Sequence, residues 1–379
     1  MKDIIYLDHA ASTPVTNEVI ELMTQTLKEN YSNASSIHQL GKKNRALIEQ
    51  AREIMGESIG AHSQEIIITS GGTESNNMAL IKTAEAYADK GRHIISTTIE
   101  HNAVLEPLKY LEKKGFEVSY LQANKQGQIT LAQIQEAIRP DTILISVIYA
   151  NNELGSIQPI KAIGEYLDSL EQEIYFHTDA VQAYGVLDID VDKLKVDLLS
   201  VSAHKMNGPK GVGFLYARQG LKIPSLILGG SQENSHRAGT ENIPAILGFK
   251  KAIELNLVDK QARYNHLLEL KNTFIERLKV SEIKYSINGT IEEAVPHVLS
   301  LSFPDVRSEM LLIQLDLNGV AVSAGSACSA GSLEASHVLS SVYGKDATEV
   351  THTIRFSFGL GNTVEEINTV IDLLEKFAG

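Results

Sequence analysis

Alternation is the feature that most constrains this chain. From residue 65 onward, short runs rich in Ile, Val and Leu are separated by helix-length amphipathic runs. Residues 65–69, 93–98, 116–121, 142–149, 174–178, 196–201 and 212–216 read as strands. Residues 76–90, 102–114 and 160–170 read as helices between them. Strands that are apolar at every position, not every second one, are buried on both faces. Their alternation with helices implies a mostly parallel sheet covered on both sides. The pattern changes after Gly239. Residues 243–278 read as one long helix, followed by strands near 298–303 and 354–358 and helices near 308–317 and 363–377. At about 150 residues per domain, 379 residues suit two units. The expected fold class is α/β: a large domain over 15–250, and a smaller α+β domain built from 1–14 and 251–379.

Charge and cysteine usage narrow the function. The 34 basic residues are outnumbered by 47 acidic ones, a net charge of −13. No basic field exists to draw in phosphate backbones, so direct nucleic-acid binding is not expected. The single cysteine, Cys328, excludes an intrachain disulfide, a CxxC redox pair and cysteine-based metal sites within one chain. No metal is expected. No run reaches the roughly 18 apolar residues of a membrane span. The start, MKDIIYLDHA, lacks the pattern of a secretory signal. The expected compartment is the cytoplasm.

Chemistry-bearing residues gather where the strands should end. SGGTES (70–75) links a strand to a helix, and its glycines allow backbone N–H groups to approach an anion. Gly72 and Thr73 are the candidate donors, although Thr73 also suits a helix N-cap. There is no GxxxxGK[ST] and no GxGxxG, which leaves a site for one phosphate group. HTDAVQ (177–182) puts Asp179 just past a strand, where ligands of open α/β sheets bind. A carboxylate there suits a cationic ring nitrogen, or simply caps a turn. SAHKMNGPKG (202–211) carries two lysines that can form a Schiff base. Lys205 is favoured over Lys210, which lies beyond Pro209 in the turn. His101, in EHNAV, can stack on a ring, move protons or cap a helix. Asn151 and Asn152, in ANNELG, can bind a ligand or form a turn. Arg355, on the strand of THTIRFSFG, can clamp a carboxylate or form an ion pair. AGSACSAGS (324–332) surrounds Cys328 with small residues, which suits an accessible thiol better than a core position. One phosphate cradle, one carboxylate, one lysine and one histidine together are what a pyridoxal phosphate site requires.

The ordered motifs YLDHAASTP, SSIHQLG, SGGTESNN, EHNAV, NNELG, HTDAVQ, SAHKMNGPKGVG, RAGTEN, GSACSAGSLEASHVL and TIRFSFG span nearly the whole chain. It resembles a cysteine desulfurase of the class-V aminotransferases, in the GSAC-loop branch with the nitrogenase- and housekeeping-type enzymes. The resemblance implies fold type I, the aspartate aminotransferase-like architecture, with pyridoxal 5'-phosphate on Lys205. It implies Asp179 at the pyridine nitrogen, Gln182 at the phenolic oxygen and His101 over the ring. It implies Gly72, Thr73, Ser202 and His204 around the phosphate, with Thr240 of the partner subunit of a homodimer. Asn152 and Arg355 would hold the substrate carboxylate. Cys328 would take sulfur from L-cysteine as a persulfide, leave L-alanine, and pass the sulfur to an acceptor protein such as a tRNA thiolase or an iron–sulfur scaffold. Other pyridoxal enzymes, such as an aminotransferase or a selenocysteine lyase, would keep Lys205 and Asp179 without needing Cys328. A non-catalytic relative would be expected to lose one of that pair. The sequence departs from the family at SQENSHRAGT (231–240), where Asn234, Ser235 and His236 replace a run of glycine and arginine. Gly331 follows the cysteine where relatives often carry a bulkier residue.

Overall fold

The computed structural model describes residues 4–324 and 335–379. The apolar runs form a seven-stranded sheet of β2 (Ile66–Thr69), β3 (His93–Thr97), β4 (Glu117–Leu121), β5 (Thr142–Ser146), β6 (Tyr175–Asp179), β7 (Leu198–Ser202) and β8 (Gly213–Ala217). Its order is β2-β8-β7-β6-β5-β3-β4. The five strands from β4 to β7 run parallel, whereas β8 is antiparallel to both β2 and β7.

The sheet sorts its residues with period two, as a pleated strand must. Ile66, Ile68, Ile95, Ile145, Phe176, Leu199, Val201, Phe214 and Tyr216 enter one large core. Ile94, Leu144 and Tyr175 face the opposite side, against Val104, Leu108 and Leu111 of the helix Asn102–Glu112. On that side Ile67, Leu198 and Leu215 meet Met78 and Ala79. Hence the runs are mostly apolar, and buried polar side chains within them, such as His177 with Ser146 and Ser200, are hydrogen-bonded. Two helices that strand alternation does not announce, Asn17–Glu29 and Gln39–Glu57, precede β2. They supply Val19, Ile48, Ala51 and Met55 to the large core.

The second core lies around a three-stranded antiparallel sheet, β12-β10-β9, formed by Ser286–Ile287 (β9), Val298–Ser302 (β10) and Thr353–Ser357 (β12). One helix, Ile243–Val280, serves both cores. Its 38 residues span about 57 Å at 1.5 Å each. Ile246, Phe249 and Ile253 pack in the first core, and Leu270, Phe274 and Leu278 in the second. The helix bends at Asp259, whose φ/ψ of −117/16 leaves the helical range.

The N-terminal segment bridges the two. β1 (Ile5–Tyr6) pairs in parallel with β11 (Val320–Ala321). Leu7 lies in the second core and Ala10 in the first. Among the described residues no helix is long and apolar enough to cross a membrane.

Candidate active site

The carboxyl ends of β2, β5, β6 and β7, with the turn after β3, surround a cleft of about 210 Å³. Gly72, Thr73, His101, Asn152, Asp179, Gln182, Ser202, His204, Lys205 and Arg355 all line it. Ten of the sequence candidates thus converge on one cavity. Thr240 is exposed and lies outside it, in a groove with Ser70 and Arg237. Cys328 lies outside the described residues.

The wall after β2 is bare backbone. Gly71 has φ 144°, a region that L side chains rarely adopt. A Cβ on Gly72 would stand 2.7 Å from Val181 Cγ2. Helical backbone begins at Gly72 and continues through the π-helical turn Met78–Lys82 into Thr83–Ala86. It therefore starts four residues before the point expected from its apolar period. Its opening N–H groups lack intrahelical acceptors and face the cleft region, as an anion requires.

Asp179 ends β6 and is 3% exposed. Its Oδ2 accepts 2.6 Å from Asn76 Nδ2, and its Oδ1 accepts 3.0 Å from the Val181 N–H. Both donors orient a buried carboxylate toward the cleft. A carboxylate held in this way suits a cationic group such as a protonated ring nitrogen.

Lys205 closes the short 3₁₀ turn Ala203–Lys205 after β7. Its Nζ donates to the carbonyls of Ala10 at 2.6 Å and Ala11 at 2.7 Å. Lys210 does not line the cleft. Of the two lysines, Lys205 is the one that lines the cleft. The neighbouring His204 is pushed down to about 4, by burial first and by Lys205 and Lys210 second, so it is neutral near pH 7. The Nδ1 of His204 lies 3.3 Å from Ser12 Oγ. The imidazole of His101 caps the helix Asn102–Glu112, with Nδ1 accepting 3.0 Å from the Ala103 N–H. In the neutral ring the proton is therefore on Nε2.

Arg355 reaches the cleft from β12 and is 1% exposed. One terminal nitrogen pairs with Asp8 Oδ1 at 2.8 Å and the other donates to the Asn152 carbonyl at 3.0 Å. Nε has no partner among the described residues. Asn151 is structural. Its side chain donates to the Ile99 carbonyl and accepts the N–H groups of Glu153 and Leu154.

Sequence reasoning missed Asp8, Ala10, Ala11 and Asn76 as site residues. Asn76 left a trace, since it stands four positions after Gly72 and so on the same helix face. It also missed Glu100, fully buried behind the site. Glu100 Oε1 accepts from Thr97 Oγ1 at 2.7 Å and the Ile148 N–H at 2.9 Å. Burial, reinforced by the charge of Asp179, outweighs these bonds and raises its pKa to about 8. The native protein then keeps a proton that the unfolded chain releases above about pH 4.5. Stability should therefore fall as pH rises from about 4.5 to about 8. Glu100→Gln should remove that slope, a difference of up to about 1.4 kcal/mol per pH unit. Denaturant midpoints across the window test this, and parallel profiles for wild type and variant would refute it.

Comparison with known proteins agrees with this geometry. Residues 5–370 match the family described as aminotransferase class-V. Over 377 residues the chain is 50% identical to the cysteine desulfurase IscS of Dictyoglomus turgidum, covering 99% of this chain and 95% of that protein. A solved NifS-like protein is 36% identical with a TM-score of 0.92, covering 98% of each chain. The structure of SspA in complex with cysteine is 36% identical with a TM-score of 0.82, covering 94% of this chain and 99% of that one. The expected fold type therefore holds, and this chain belongs to the class-V aminotransferase family, among its pyridoxal-phosphate-dependent cysteine desulfurases.

Proposed function

We propose that the protein converts L-cysteine to L-alanine, holds the released sulfur as a persulfide on Cys328, and hands it to an acceptor protein. The observation that carries this reading is the convergence in one cleft of Lys205, a buried Asp179 and a buried Arg355 beside Asn152. The relatives named as cysteine desulfurases, and the structure of SspA with cysteine, point to the same substrate.

Each residue has a physical task. Lys205 would hold the cofactor covalently and exchange protons at the substrate carbon. Asp179 would keep the ring nitrogen protonated, and the bound ring would then accept electrons. Gln182 would donate to the ring oxygen, and His101 would stack on the ring and move a proton through Nε2. Gly72, Thr73, Ser202 and His204 receive the phosphate. Arg355 and Asn152 bind the substrate carboxylate and fix which bond faces Cys328. The Cys328 thiolate then attacks the substrate sulfur. The Cβ–S bond breaks and a proton takes the place of sulfur at Cβ.

Exposure of Thr240 supports a homodimer, in which Thr240 of the partner subunit reaches the phosphate. The acidic surface favours delivery to a protein in the cytoplasm, for tRNA thiolation or iron–sulfur cluster assembly, over direct contact with RNA.

One experiment tests the core of this reading. The purified holoenzyme is mixed with a single equivalent of L-cysteine, alanine is quantified, and peptides are mapped for an added sulfur. Alanine with about 32 Da, the mass of one sulfur atom, added at Cys328 as a persulfide is the expected result. Alanine without modified Cys328 would move the sulfur chemistry elsewhere, and no alanine would overturn the reaction.

A further inference from the structure

Behind the cleft lies a buried histidine that the reaction described above does not use. His297 precedes β10 and is 8% exposed. Its Nε2 stands 3.2 Å from Oε1 of Gln182. The other end of that amide donates through Nε2 to the Ala10 carbonyl at 2.9 Å. We propose that His297 is a positioning residue: it locks the Gln182 amide so that its NH₂ group, not its oxygen, serves the cofactor. The proposal rests on the reading of Gln182 as the donor to the ring oxygen.

Hydrogen-bond bookkeeping assigns each atom. The Ala10 carbonyl can only accept, so the amide nitrogen must face it. The amide oxygen then faces His297, which must donate through Nε2. A neutral imidazole has one N–H, so Nδ1 carries a bare lone pair. Nδ1 indeed has no partner among the described residues. The ring is held neutral: burial first, then the neighbouring Lys271, His9, Lys205 and Arg355, push it down to about 3. One tautomer therefore persists throughout the working range.

Anchoring at both ends leaves the amide one orientation. Its second N–H hydrogen remains for a ligand in the cleft that Gln182 lines. The same Ala10 carbonyl accepts from Lys205 Nζ at 2.6 Å. Amide and lysine thus share one acceptor, so His297 also registers the donor against the lysine. Without His297 the buried Oε1 has lost its donor, and the side chain turns to recover one.

A donor at the ring oxygen stabilises its anion and lowers the affinity for the proton shared with the lysine-linked nitrogen. The test is the visible absorbance titration of the holoenzyme. Gln182→Leu should raise the midpoint by about one to two pH units. His297→Leu should raise it by a similar amount, and His297→Gln, which keeps a donor near the same place, should restore it in part. The double variant should move no further than Gln182→Leu alone, because the two act through one contact. A shift in Gln182→Leu but none in His297→Leu would overturn the proposal while leaving the reading of Gln182 intact. No shift in either would overturn both. Additive shifts would mean that His297 acts independently, which also overturns it. A second readout needs no cofactor. In ¹⁵N spectra of the apoprotein, the signals absent from His297→Leu should be those of a neutral Nε2–H ring that does not titrate between about pH 5 and 9. Titration in that range would refute the lock.

Discussion

Replacing Lys205 by alanine should lower kcat/KM for L-cysteine by about 10³-fold or more, since one side chain loses both covalent attachment and proton transfer. Borohydride reduction should fix the cofactor's mass on the wild-type chain and leave Lys205→Ala unlabelled. The fold should survive. Lys205 ties its turn to the N-terminal segment through Ala10 and Ala11, but it is not the only tie. The Thr13 N–H and hydroxyl both donate to the His204 carbonyl, at 2.9 and 2.8 Å. Asn207 donates from its backbone to Thr13 Oγ1 and from its side chain to the Pro14 carbonyl. A melting temperature near that of wild type, together with lost activity and lost labelling, is the expected combination. Retained labelling would shift the role to Lys210.

Glu233→Ala should be the most destabilising of the single substitutions considered, by about 3–5 kcal/mol. Glu233 and Arg52 are each 4% exposed. They pair through both oxygens, at 2.5 and 2.8 Å. Arg52 also donates to the Ile66 carbonyl, and the Ile68 N–H donates to Glu233. The pair therefore stitches the helix Gln39–Glu57 and the segment after Gly230 to the edge strand β2. Burial works against the charge on Arg52, but the bonds to and charge of Glu233 outweigh it and raise its pKa. Removing Glu233 leaves a buried guanidinium with only the half-exposed Glu49, at 3.2 Å. Denaturant midpoints measure the loss. Replacing both partners together, as Arg52→Met with Glu233→Leu, should recover most of it, because no unpaired charge remains. A loss below about 1 kcal/mol for Glu233→Ala would mean that water reaches the pair.

That pair also accounts for the departure of residues 231–240 from the family's glycine run. Glu233, Asn234 and Ser235 have φ of 47°, 53° and 68°. Glycine adopts such angles freely, whereas three consecutive residues with side chains do so at a cost. Anchoring by Glu233 on Arg52 offsets that cost. The sequence revealed the substitution but not the ion pair that makes it tolerable, because Arg52 lies 181 residues away.

How far the chain could be read in advance followed the range of the signal. Strand runs were legible because burial on both faces enriches apolar residues along both sides of a strand, and that pattern is local. The helices Asn17–Glu29 and Gln39–Glu57 went unread because they precede the first strand, outside the alternation that made the rest visible. Asp179, Lys205, His101 and Thr73 could be singled out because each ends a strand or follows one within a few residues, and strand ends are where an α/β sheet exposes its ligand side.

The sequence by itself determined the doubly covered sheet, the strand-end placement of these groups and the family chemistry they imply. Only the tertiary structure decided which groups meet. Arg355 finds Asp8 across 347 positions, Lys205 finds Ala10 across 195, and Gln182 finds His297 across 115. No periodicity reports such pairs. The first two exist because Leu7 packs in the second core and Ala10 in the first, which draws the N-terminal segment past the cleft, where Ala10 and Ala11 line it.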